Sequence, residues 1–378
     1  MVTEKRTLPN TYRWWHVRQW YGMTSWAWLR LLWTYRFRVS PSRFHRLVLV
    51  SVISLMNSLA AVLQRILFGK RVAAQELPPI VFIIGHWRTG TTFLHELLSL
   101  DPRFQSPDTL QCMCPEHFLV SRRLIEKLAF LLPDKRPMDN VAMRFRGPQE
   151  DEFALLTMAA GSPMEMYAFP QARTGWQKWY RVPAEKRFAW RRKLEGFLRS
   201  VVFSRHRSTG VAPARLLLKS PTHTARLGWL AEAFPDAHFI HLVREPVSLF
   251  SSTQILTHAM AVTQALNVSG VESEAFIQEA VFENFEQLYE HFDADCAELE
   301  PNRLLTLKYE DNKNSPMQQI VRIYDFLGID LDTDISARIE SESVARKQYQ
   351  PNKHEPDAEL AERVRQRWND YGKRYGYL

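Results

Sequence analysis

The octapeptide Gly85–Thr92, GHWRTGTT, gathers two glycines, one arginine and three threonines where a chain can grip an anion. An apolar β-branched run, Ile80–Ile84, precedes it. After it, Phe93, Leu94, Leu97 and Leu98 recur at helical spacing. A strand, a glycine turn and a helix start leave amide N–H groups without a partner inside the helix, and the helix dipole favours negative charge there. The spacing GxxxxG followed by two hydroxyl residues is that of a phosphate loop. Yet Thr91 stands where a nucleoside triphosphatase carries the lysine that reaches the β- and γ-phosphates, and the cation is moved into the loop as Arg88. Arg88, Thr89, Gly90, Thr91 and Thr92 are therefore expected to bind a phosphate-like group.

A second constellation lies downstream. Arg215–His223, RLLLKSPTH, reads as a buried strand that ends in Lys219 and Ser220, with Pro221 stopping the ladder for want of an N–H. A helix is predicted over 224–234, then a strand over His238–Val243 that ends in Arg244, with Pro246 opening the next helix. Strand–helix–strand of this length predicts a right-handed parallel crossover, and such sheets bind ligands beyond the carboxyl ends of their strands. Arg88, Lys219 and Arg244 are then expected at one edge, with Ser252 two helical turns beyond Arg244. Three cations on one rim call for an anion.

These segments resemble the sulfotransferases that use 3′-phosphoadenosine-5′-phosphosulfate (PAPS). GHWRTGTT is similar to their loop for the 5′-phosphosulfate. Arg244 and Ser252 are similar in separation to the Arg and Ser that hold the 3′-phosphate, with Ser248 and Ser251 as weaker stand-ins. Arginine suits that role because its planar fork meets phosphate oxygens in bidentate fashion. The late elements Leu304–Asp311 and Ser315–Gly328 also resemble the family. The resemblance spans about residues 78–330 and is greatest to bacterial-type members with a P-x-E-D-E segment, here Gly147–Phe153, GPQEDEF.

The resemblance implies an α/β fold: a P-loop-like parallel sheet flanked by helices, with a helical insertion and a helical N-terminal extension. It implies PAPS as donor, no metal, and in-line transfer of a sulfuryl group to an acceptor hydroxyl. Arg88 and Lys219 would stabilise charge on the donor. Relatives draw the base from Glu or His, and Asp108, Glu116 and His117 lie in the loop after the first helix. His223 and Glu150 are favoured as a pair near the acceptor hydroxyl, with Glu116 next; Asp151 and Glu152 complete the acidic run. A P-loop kinase or NTPase is one alternative, opposed by Thr91 and by the lack of an apolar strand ending in a magnesium-binding Asp. A non-catalytic, membrane-associated nucleotide-binding protein is the other.

Composition sets the frame. Of 378 residues 46% are apolar, enough for a full core. Cys112, Cys114 and Cys296 are too few for a disulfide framework, which points to a cytoplasmic, reducing compartment. Residues 1–46 carry nine Lys/Arg and one acidic residue, so their net +8 equals that of the whole chain. Half of the twelve tryptophans fall there too, and Leu47–Gln64 is uncharged. Two readings compete for residues 1–68: peripheral contact with the inner face of a membrane, or a helix packed on the domain through the stripe of Ser51, Ser54, Asn57 and Ser58. Nucleic-acid binding lacks a motif. The acceptor is expected to be hydroxylated and lipid-like. The organisation predicted is an extension over 1–75, an α/β domain over 76–345 with a helical insertion at about 101–209, and a C-terminal helix and tail over 346–378.

Overall fold

The computed structural model describes residues 8–271, 273–347 and 356–378. The first seven residues of the expected extension and residues 348–355 of the expected C-terminal segment lie outside them.

Five strands form one parallel sheet. In chain order they are β1 (Ile80–Gly85), β2 (Phe104–Gln105), β3 (Arg215–Lys219), β4 (His238–Val243) and β5 (Leu304–Lys308), arranged spatially 2-3-1-4-5. The central β1 is buried along its whole length, as a strand covered on both faces must be. Its alternate residues face different cores. Phe82 and Ile84 pack with Leu216, Leu218 and Phe239, whereas Val81 and Ile83 pack with Leu217, Ile240 and Leu242. Register sets Ile83 beside Lys219 and Gly85 beside Leu242, so the strands end together.

Among the described residues sixteen α-helices flank the sheet, frame the cavity or build the N-terminal extension. Eight of them are, along the chain, α1 (Ser25–Thr34), α2 (Phe44–Ala73), α3 (Thr91–Leu98), α4 (Ala184–Thr209), α5 (Pro246–Gln264), α6 (Glu274–Cys296), α7 (Pro316–Leu327) and α8 (Ala358–Arg367). On one face of the sheet, Leu94, Leu97 and Leu98 of α3 and Ile320 and Ile323 of α7 cover the odd residues of β1. Pro246 opens α5 behind the Glu245 side chain, which accepts from the amides of Val247 and Ser248. Gly328 ends α7 in the left-handed conformation, and Asp357 caps α8.

Three details differ from the sequence expectation. The helix predicted over 224–234 begins as a 3₁₀ stretch, Pro221–Arg226, before the α-helix Leu227–Ala233. Of the late element Leu304–Asp311 only Leu304–Lys308 is strand, and its end belongs to a short helix, Tyr309–Asn314. The insertion supplies the edge strand β2, whose two residues are too few to leave a periodic signal.

Three fully buried histidines give the fold a pH dependence. Burial pushes His86 down to about 4, and His95 and His241 down to about 3, from an ordinary 6.5. Each depressed group contributes stability that is present above pH 6.5 and is lost as pH falls through the folded value, because the unfolded chain takes up protons that the folded one refuses. The melting temperature should therefore decline on acidification from pH 6.5 toward 4. His241→Phe should make that decline shallower; an unchanged slope would remove His241 from this account.

Candidate active site

The glycine turn closes on itself through Thr89, whose amide and hydroxyl both donate to the carbonyl of His86, at 3.3 and 2.7 Å. Gly85, at φ +132°, lies so near β4 that a Cβ would sit 2.4 Å from the Leu242 oxygen. Gly90, at φ +88°, begins α3 against the Tyr309 ring, 2.6 Å from where a Cβ would stand. Only glycine tolerates both the conformation and the approach. Arg88 also has a left-handed backbone, φ +73°, which costs a non-glycine residue about 1–2 kcal/mol. Three bonds hold it there. Its carbonyl accepts from Arg244 Nη1 at 2.8 Å, its Nε donates to Ser252 Oγ at 2.9 Å, and its Nη1 donates to Asp139 at 2.5 Å.

Arg88, Gly90, Thr91, Thr92, Arg244 and Ser252 all line one cavity of about 1290 Å³. The first three amides of α3 have no acceptor within the helix. Arg244 lies over the Tyr309 ring, 4.5 Å from its centre, and burial lowers its pKa below the usual guanidinium value. Its main chain is fixed from the C-terminal segment: Tyr371 Oη accepts from the Arg244 amide at 2.9 Å and donates to its carbonyl at 3.0 Å. The same cavity is also lined by Met113, Met138, Phe153, Tyr167, Leu256 and Met260.

Glu150 lines the cavity as well. Its Oε1 accepts from Lys219 Nζ at 2.5 Å, and its Oε2 has no hydrogen-bond partner among the described residues. Lys219 is buried beneath the cavity wall, with Thr92 Oγ1 3.4 Å from its Nζ. Burial lowers the Lys219 pKa against the opposing pull of the Glu150 carboxylate.

Several expected site residues stand elsewhere. Thr89 spends both its donors on the His86 carbonyl and is not among the residues that line the cavity. His223 is fully buried outside the cavity and is not paired with Glu150. Its Nδ1 accepts from Arg226 Nη1 at 3.3 Å, and its Nε2 meets Asp151 at 2.6 Å. Arg226 binds Glu152 with two contacts, 2.6 and 3.1 Å, and Thr222 adds a third at 2.7 Å. Burial raises the Glu152 carboxyl, but Arg226, His223 and Ser162 together hold it below the usual carboxylate range. Two of the three adjacent carboxylates are thus struts. Glu116 accepts from Thr24 beneath the N-terminal extension. Asp108 caps a short helix and pairs with Arg122 at 2.7 Å, while His117 bonds Ser121 at 2.9 Å.

Sequence reasoning missed Asp139 and Tyr309. Tyr309 directly follows β5, so the rule that ligands gather beyond strand ends could have found it. Asp139 sits in the irregular insertion, where no spacing marks it.

Residues 79–333 match the sulfotransferase family. The chain belongs to that family. This sulfotransferase is 34% identical over 380 residues to proteins from Mycobacterium tuberculosis (strain CDC 1551 / Oshkosh) and Mycobacterium bovis (strain ATCC BAA-935 / AF2122/97), covering 98% of this chain and 95% of theirs. Both relatives are named omega-hydroxy-beta-dihydromenaquinone-9 sulfotransferase Stf3. Among solved structures, sulfotransferase STF9 from Mycobacterium avium superposes with a TM-score of 0.64 at 16% identity, over 89% of this chain and 86% of that one. STF1 from M. tuberculosis H37Rv gives 0.62 at 18% identity, over 93% and 94%. These two carry the fold, and the expected parallel α/β architecture is the observed one.

The buried struts set an expectation for stability. Removing one side of a buried, hydrogen-bonded ion pair typically costs about 3–5 kcal/mol. Arg226→Met should therefore destabilise this sulfotransferase by about that amount in urea unfolding, since it strands Glu152. A loss under about 1 kcal/mol would show that the pair does not brace the fold.

Proposed function

We propose that this sulfotransferase moves the sulfuryl group of PAPS to the hydroxyl of an apolar or amphipathic, lipid-like acceptor. One observation carries the reading. A single cavity is lined by Arg88, Arg244 and Ser252, by apolar side chains, and by Glu150, which has one oxygen unpartnered among the described residues. The residues fit the donor. The helix-start amides of Thr91 and Thr92 and the Arg88 guanidinium suit the 5′-phosphosulfate, and Arg244 with Ser252 suits the 3′-phosphate. The relatives are named for an omega-hydroxy dihydromenaquinone, a hydroxylated lipid in keeping with those apolar side chains.

In this scheme PAPS supplies the sulfuryl group. Glu150 Oε2 takes the proton of the acceptor hydroxyl as its oxygen bonds to sulfur. The sulfur–oxygen bond to the 5′-phosphate breaks, and its electron pair leaves on the phosphate oxygen. Lys219, held by Glu150 and next to Thr92, neutralises the charge that collects there. Glu150 becomes neutral as it takes the proton, which loosens its hold on Lys219 as the leaving charge grows. His223, with both ring nitrogens engaged by Asp151 and Arg226, positions the run that carries Glu150 rather than acting on substrate. The same reading treats residues 76–345 as the catalytic domain, with 1–75 and 346–378 as flanking segments, in keeping with the family match over 79–333. Free Cys112, Cys114 and Cys296 favour a cytoplasmic setting.

Calorimetric titration in EDTA tests the donor. Adenosine-3′,5′-bisphosphate should bind, magnesium-ATP should not, and Arg244→Ala and Ser252→Ala should each weaken the former. A preference for ATP would overturn the assignment. For the chemistry, Glu150→Gln should lower kcat by about 10²–10⁴ and Lys219→Met by about 10²–10³. Turnover that survives Glu150→Gln unchanged would move the base elsewhere.

A further inference from the structure

Helix α2 is turned inside out. Its polar stripe faces the protein and its apolar face is exposed. Ser51 Oγ accepts from Trp28 Nε1 at 2.9 Å, and Asn57 donates to the carbonyls of Tyr21 and Met23 at 2.7 and 2.9 Å. Ser58 accepts from the Ser25 amide at 2.9 Å, and Gln64 from the Leu119 amide at 2.7 Å. On the other side Val48, Val52, Leu55, Leu59, Val62 and Ile66 form one exposed row, and Ile66 and Leu59 keep 74% and 69% of their surface. Residues 48–67 extend about 30 Å at 1.5 Å per residue. Beside α2, Trp26 and Trp33 of α1 are 73% and 78% exposed. A face this large is not left bare by a protein that stays in bulk water.

Its charges say what covers it. Residues 25–73 hold eight Lys/Arg and no acidic residue. Arg30, Arg36 and Arg38 are exposed at one end of the apolar face, and Arg65, Lys70 and Arg71 at the other. A second copy of this chain would set one all-basic rim against another. A coiled-coil seam would be narrow and flanked by charges of both signs, whereas Met56, Leu63 and Leu67 widen this face beyond a single row. A helix crossing the bilayer would have to strip Ser51, Asn57 and Gln64 from their partners, although α2 is long and apolar enough to cross by length and composition. Tryptophan and basic residues around an apolar centre match the headgroup layer of an anionic membrane.

We propose that α1 and α2 form a docking face that lies flat on an anionic bilayer surface, with α2 parallel to the membrane plane. Its apolar row enters the acyl boundary, and its six exposed basic residues meet lipid phosphates. The segment leading into α1 lines the active-site cavity with Tyr12, Val17 and Gln19. Docking therefore brings the cavity next to the bilayer; on the reading of a lipid acceptor, that is where the acceptor resides.

Flotation of the purified full chain with preformed vesicles tests the surface without any activity measurement. The protein should float with vesicles of phosphatidylglycerol and phosphatidylcholine in equal parts, much less with phosphatidylcholine alone, and less as salt rises. Trp33→Ser combined with Leu59→Gln and Ile66→Gln should reduce partitioning by tenfold or more at an unchanged melting temperature. Arg30→Gln with Arg36→Gln should reduce it by about fivefold per charge, on anionic vesicles only. Failure to float with anionic vesicles would overturn the proposal. So would a dimer in sedimentation that the triple variant abolishes and vesicles do not displace, or flotation that resists both high salt and alkaline carbonate, which marks a span. Failure of donor binding would leave this surface untouched and strike the catalytic reading instead.

Discussion

The demand that runs through the structure is electrostatic: Arg88, Lys219 and Arg244 are brought to the carboxyl edge of one parallel sheet, and none can be left there uncompensated. Each is held differently. Lys219 is buried and paired with Glu150 at 2.5 Å. Arg88 is paired with Asp139 and leans on Ser252. Arg244, the one of the three without a carboxylate in contact among the described ion pairs, lies on the face of Tyr309 and reaches the Arg88 carbonyl. A guanidinium on an aromatic face and a carbonyl is stabilised but not neutralised. The loop, the β4 terminus and the C-terminal Tyr371 all serve to hold the Arg244 charge in place.

The sheet and the phosphate loop are legible in the sequence because their signals are local. Three buried strands, Ile80–Gly85, Arg215–Lys219 and His238–Val243, read directly as short apolar runs ended by Gly, Lys or Arg. Arg88, Lys219 and Arg244 follow from the rule that parallel strands end together, and Ser252 from the resemblance of its separation from Arg244. The acidic run is harder. Glu150, Asp151 and Glu152 are adjacent in sequence, yet one faces the cavity and two face Arg226 and His223 inside the core. Spacing does not assign such a run, because the segment enters the short helix Glu152–Thr157, and the turn into it points neighbouring side chains apart. His223 is only four residues from Lys219, but the 3₁₀ stretch after β3 rotates it into the core. Residue order does not reveal which of several nearby ionisable groups is already satisfied by another.

The N-terminal extension shows the same point at larger scale. Ser51, Ser54, Asn57 and Ser58 share one stripe, as their spacing predicts, while packing on the domain and contact with a membrane stand as rivals in the sequence. In the described structure the stripe that packs is the polar one, so packing on the domain leaves the apolar side open to the membrane contact proposed above. Burying serine and asparagine side chains costs little here, since each finds a hydrogen bond on nearby turn or helix backbone. The apolar side is then left over, and its exposure is a consequence of how α2 is anchored.

The extension is also tied to the chemistry. Asn10 donates to the carbonyls of Arg136 and Asp139, at 2.8 and 2.7 Å, and Asp139 in turn holds Arg88. Arg18 donates to the Thr263 carbonyl at 2.9 Å, at the end of the helix that carries Ser252. Arg88 and the helix that carries Ser252 therefore both connect to residues that precede α1. Division at residue 75 describes the order of elements along the chain, but not the mechanics. The segment that leads to the apolar hairpin is a wall of the cavity and a support for Arg88, so the exposed apolar face and the cavity are joined by one short stretch of chain.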